Sequence, residues 1–132
     1  MIYAKAYLFT LIVFVAFDFM WLGIVAHRFY SSQLGSLMRD DINFAAAFGF
    51  YLAYVAGVVF FAVAPALAGG LWQQAAVNGA LLGLLAYATY DMTNLATLKN
   101  WPLAMSIVDI LWGGLLTCTS AVLGFFATRT FF

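Results

Sequence analysis

Three aspartates, Asp18, Asp91 and Asp109, stand inside long apolar runs of the sequence. A carboxyl at such depth costs at least about 2.5 kcal/mol on insertion scales, so each must find a partner or carry a proton. Asp18 comes eight residues before the first run ends at Ala26, Asp91 seven before Leu98, and Asp109 seven after Pro102. At 1.5 Å per helical residue all three lie about 10 to 12 Å from one interface, in the same half of a membrane. Two carboxyls close together in a low dielectric do not both ionise readily, which leaves one for general-acid or proton-carrying work, or for binding a polar head group. The structural alternative is a set of hydrogen bonds that only fixes helix register.

The neighbours of these carboxyls are polar. Tyr87, Asp91 and Asn94 fall on one helical face at i, i+4 and i+7, while Tyr90, Thr93 and Thr97 fall on the adjacent one. Asp18-Phe-Met-Trp21-Leu-Gly23 and Asp109-Ile-Leu-Trp112-Gly-Gly114 share the pattern D-x-x-W-x-G, which sets an indole one turn from each carboxyl. The candidate site is therefore Asp18, Asp91 and Asp109 as acid, base or head-group ligands. Asn94, Tyr90 and Thr93 would orient them, and Tyr87, Trp21 and Trp112 would line a pocket. The spacing predicts convergence of the three carboxyls, with Asn94 and a Tyr or Thr of the third helix as neutral partners.

Metal and cofactor chemistry find little support. His27 is the only histidine and falls at an interface, and Cys118 is the only cysteine. Neither a thiolate cluster nor paired-histidine haem can be built from one chain, and all-carboxylate sites suit only hard cations. No nucleophile with a base at diagnostic spacing, phosphate loop or dinucleotide fingerprint is present. No metal and no cofactor is expected.

The elements that must carry these residues follow from composition. Apolar residues make up 67% of the 132, and charged ones 8%, more hydrocarbon than a water-soluble domain of this length can hide. A hydrocarbon core of about 30 Å needs roughly 20 apolar residues per helix. Residues 6–26, 44–67, 75–98 and 103–128 meet that need, which predicts one all-α domain over residues 1–132, a polytopic transmembrane four-helix bundle. The first run lacks a small-residue cleavage site at its end and reads as a retained helix. The links 68–74 and 99–102 are short, so the helices they join should be antiparallel neighbours. The longer link 27–43 predicts an interfacial helix over about 30–38, with Asp40, Asp41 or Asn43 capping the next helix.

Trp72 and Trp101 at helix ends suit the headgroup layer. Arg28, Arg39 and Lys99 on one side against Lys5 and Arg129 on the other lean toward termini outside the cytoplasm, a difference the free amino terminus could erase. Ala45, Gly49, Ala53 and Gly57 recur every fourth residue, and Gly79 and Gly83 form a G-x-x-x-G pair. Such ridges serve equally for packing inside the bundle and for a dimer face. A net charge of zero removes the electrostatic basis of nucleic-acid binding.

The stretches Asp18-Phe-Met-Trp21-Leu-Gly23, Tyr90-Asp91-Met-Thr93-Asn94-Leu-Ala-Thr97-Leu-Lys-Asn-Trp101-Pro102 and Asp109-Ile-Leu-Trp112-Gly113 together resemble a bacterial family of small predicted membrane proteins classed as a domain of unknown function. The resemblance spans essentially the whole chain. It implies four helices in the bacterial cytoplasmic membrane and brings no activity with it. Two functions stay open. One is binding or processing of a lipid or other apolar small molecule at the aspartate half of the bundle, with the aromatic residues, 19% of the chain, as walls. The other is a noncatalytic accessory subunit held in a larger membrane complex or a homo-oligomer by the small-residue ridges.

Overall fold

The computed structural model describes residues 1–38 and 43–131; Arg39 of the charge comparison and the expected caps Asp40 and Asp41 lie outside the described residues. Helix α1, Ile2–Met20, runs on through a π turn at Trp21–Val25, and α2, His27–Leu34, ends in a 3-10 turn at Gly35–Leu37. Helix α3, Phe44–Val58, passes through a second π turn, Val59–Val63, into α4, Ala64–Gly69. Helices α5, Trp72–Thr97, and α6, Leu103–Phe131, complete the order, with no strand among the described residues.

Three segments are long and apolar enough to cross a membrane: Ile2–Val25, Phe44–Gly69 and Leu103–Phe131. Large apolar side chains on their outer faces, among them Ile12, Phe60 and Leu111, have no protein cover. Helix α5 has the length, 26 residues. Gln73, Gln74, Asn78, Asp91 and Asn94 lower its hydropathy, and it is not among the three.

Helix α6 is the axis of packing. Its buried residues, from Met105 to Thr128, include Gly113, Gly114 and Gly124, and each glycine seats a neighbour. A Cβ on Gly113 would fall on the ring of Tyr87, one on Gly114 on Leu84, and one on Gly124 on the Thr10 hydroxyl of α1. The approach is reciprocal on α5, where a Cβ on Gly83 would strike the Gly113 carbonyl and one on Gly79 would come within 3.0 Å of Ala121. The G-x-x-x-G pair of α5 thus packs inside the chain. The ridge of α3 does not: Ala45, Gly49 and Ala53 are exposed, and a Cβ on Gly49 or Gly57 would meet nothing within 4 Å. Helix α1 buries a single stripe, Ala6, Thr10, Phe14 and Asp18, one residue per turn.

Local chemistry explains the irregular points. Pro65 lacks the N–H that would bond to the Phe61 carbonyl four residues earlier, and the helix around that carbonyl opens into the π turn. The Asn78 amide of α5 donates to Phe61 O at 3.1 Å, satisfying it from outside. Asn43 caps α3 by accepting the Ala46 N–H at 3.1 Å. Gly70, at φ 72°, ends α4 in the left-handed conformation that glycine adopts without steric cost. Asn100, at φ 61°, turns the chain before Pro102, and α6 starts one residue later.

Candidate functional site

The end of α1, the start of α3, the end of α5 and the start of α6 meet at one end of the molecule. Asp18 is 4% exposed there and accepts two hydrogen bonds, from the Tyr51 hydroxyl of α3 and from Trp112 Nε1 of α6, the latter at 3.2 Å. Asp109 accepts from the Tyr30 hydroxyl of α2 at 2.9 Å, and that hydroxyl in turn accepts from Trp21 Nε1 at 2.9 Å. The two D-x-x-W motifs therefore cross. Trp112, one turn beyond Asp109, serves Asp18; Trp21, one turn beyond Asp18, serves Asp109 through Tyr30. Between them the two indoles stack, with centroids 4.4 Å apart and planes 11° from parallel. Burial pushes the Tyr30 phenol well above its ordinary range, with the Asp109 carboxyl adding to the effect, so it stays a neutral donor.

Asp91 is fully buried, and no N–H or O–H of the described residues reaches either of its oxygens. Its neighbour is the Asp109 carboxyl, within hydrogen-bonding reach. Asp109 is also within electrostatic range of Asp18. Two acceptors facing each other are stable only with a positive charge between them, whether a proton or the cation of a ligand.

None of the neutral partners expected from α5 hydrogen-bonds to a carboxyl of the cluster among the described contacts. With Asp91 turned inward, Tyr90 and Thr93 are carried about 100° and 200° around the helix, and both are exposed. Tyr90 lies edge-on to Trp101 at 5.7 Å, and the Thr93 carbonyl accepts from Thr97. Asn94 is half-buried on the Asp91 face, and Tyr87 packs against Tyr54 over Gly113. The donors to the carboxyls come instead from Tyr51, Tyr30 and the two tryptophans. Tyr51 carried a readable signal, a phenol in an apolar span that must bond to something. Tyr30 lay hidden in the apolar face of the link.

Beside the cluster is a cavity of about 690 Å³, a size typical of small-molecule sites. Phe19, Leu22, Phe44, Phe48 and Met105 belong to its apolar lining. The polar part is Tyr30, Tyr51, Tyr90, His27 and Asp109. Among the described residues no group of three or more metal-ligating side chains comes together.

The family model described as "Predicted membrane protein (DUF2177)" matches residues 3–126, nearly the whole chain. The chain belongs to this family. Its description is that of a membrane protein, in agreement with the three apolar segments, and it states no activity. Neither a curated protein nor a solved structure matches the chain.

Proposed function

We propose that this is a single-domain, four-helix protein of the bacterial cytoplasmic membrane that binds a lipid or other apolar small molecule beside its aspartate cluster. The fourth crossing in this reading is α5. Its 26 residues span about 39 Å, and its polar side chains Asn78 and Asp91 are turned toward the protein rather than toward lipid. The observation that carries the functional reading is the cavity: an apolar chamber of about 690 Å³ whose polar wall includes Asp109 and the phenol that serves Asp18. The apolar part of a ligand would lie against Phe19, Leu22 and Phe48, and its polar end against Asp109.

Native mass spectrometry of the protein released gently from its membrane tests this. The expected spectrum shows the 14.5 kDa chain carrying a small-molecule adduct that Ala47→Trp, which fills the cavity from α3, removes. A spectrum of the bare chain, unchanged by Ala47→Trp, overturns it. A second reading, the accessory subunit, draws on the uncovered small-residue ridge of α3. In the same measurement it predicts a foreign subunit that Gly49→Leu dissociates.

A further inference from the structure

The polar wall of the cavity holds more acceptors than free donors. The Tyr51 hydroxyl is committed to Asp18 and the Tyr30 hydroxyl to Asp109. That leaves Tyr90 and the exposed His27 as donors on the wall. Among the described lining residues there is no lysine or arginine. Against this stand Asp109, which faces the cavity, and Asp91 behind it, fully buried with both oxygens unpartnered and its carboxyl set against that of Asp109. An anionic head group would find a carboxyl before it and few protons to bind. A positively charged donor would meet one carboxyl at the wall and a second just beyond it, and would supply the charge that the facing pair lacks.

We propose that the cavity selects an amphiphile with a cationic, hydrogen-donating head, a primary amine on an apolar chain, received by Asp109 with Asp91 as the second carboxyl. This rests on the cavity being the site of an apolar ligand. The aromatic rings of Tyr30, Tyr51 and Tyr90 suit the same head group, because a cation is attracted to their faces.

The test uses the full chain in a neutral maltoside detergent and three probes of equal chain length: dodecylamine, dodecanol and dodecyl phosphate. Binding is read from tryptophan fluorescence, because the Trp21 and Trp112 stack contacts the site through Tyr30 and Trp101 through Tyr90. Dodecylamine should bind at least about tenfold more tightly than dodecanol, the worth of one charge-assisted hydrogen bond. Dodecyl phosphate should bind most weakly. Asp91→Asn, which keeps shape, should shrink the ratio of amine to alcohol. Should that variant fail to fold, the wild-type series carries the test alone. Equal binding of amine and alcohol, or a preference for the phosphate, overturns the head-group assignment and leaves the cavity reading standing. Amine binding that survives Ala47→Trp marks partition into the micelle and overturns the assignment as well. Failure of all three probes to bind overturns both readings.

Discussion

Asp18 stands in an apolar core because two donors from two other helices converge on it. Removing one should strand an oxygen away from water. Tyr51→Phe deletes only the hydroxyl that Asp18 accepts from, and an unsatisfied buried acceptor costs about 1 to 3 kcal/mol. Thermal unfolding in detergent should show that loss, and Asp18→Leu should cost less in the Tyr51→Phe background than alone, because both changes remove the same bond. Additive losses would mean that Asp18 draws its stability elsewhere. Tyr30→Phe acts on the other carboxyl, cutting both the bond to Asp109 and the one from Trp21, so its effect on stability should equal or exceed that of Tyr51→Phe.

How far these contacts could be read from sequence differs from residue to residue. Common depth along three runs was enough to expect the three carboxyls in one half of the membrane, since depth depends only on residue count and rise. The choice of donors was not legible. Rotation about each helix axis decides it, and one residue of rotation moves a side chain by about 100°, which is why Thr93 faces out while Tyr51, on a different helix, faces in. The likeness of the two D-x-x-W motifs was visible, but their crossing requires α1 and α6 to be adjacent, and that is a fact of tertiary structure.

At the scale of the element, glycines that look alike in sequence do opposite things. Gly83 lies against the Gly113 carbonyl, and Gly49 lies against nothing. Gly83→Leu should therefore lower stability in detergent by about 1 to 3 kcal/mol, the usual cost of overpacking, whereas Gly49→Leu should leave the stability of the isolated chain unchanged. Equal effects would refute the assigned faces. The link between Pro65 and Asn78 makes a second pair. Asn78→Leu should cost about 0.6 kcal/mol, the average for hydrogen bonds between membrane helices, and at most about 1.7. In a Pro65→Ala background the helix regains its own N–H for Phe61, and the same substitution should cost less. Had Pro65 been set against the length of its run, a helix irregularity could have been expected there; its external donor could not, because Asn78 belongs to another helix.

For the whole molecule, composition and run length were sufficient for a helical membrane protein, since lipid leaves backbone groups no partner outside the chain. They were less decisive for α5, whose polar residues, the exposed Gln73 and Gln74 as well as the buried Asp91, keep it out of the three apolar segments. A reactive cysteine placed in turn at Gln73 and Asn100, the two ends of α5, should be labelled from opposite sides of a sealed vesicle. Labelling of both from one side would refute the fourth crossing.

The crossed motifs also bear on the order in which the protein is made. Synthesis runs from the N-terminus, and Asp18 enters the membrane long before its partner Trp112 exists. Tyr51, in the next apolar segment, is the first donor to become available, 33 residues later. The pair formed by the first two apolar segments can thus shelter one carboxyl at once. Asp91 has no such donor among the described residues, and the carboxyl of Asp109, its neighbour, arrives with α6. In the proposed four-crossing arrangement, insertion of α5 is then coupled to that of α6, and a nascent chain arrested between them would hold the first two apolar segments in the bilayer while α5 still moves in and out.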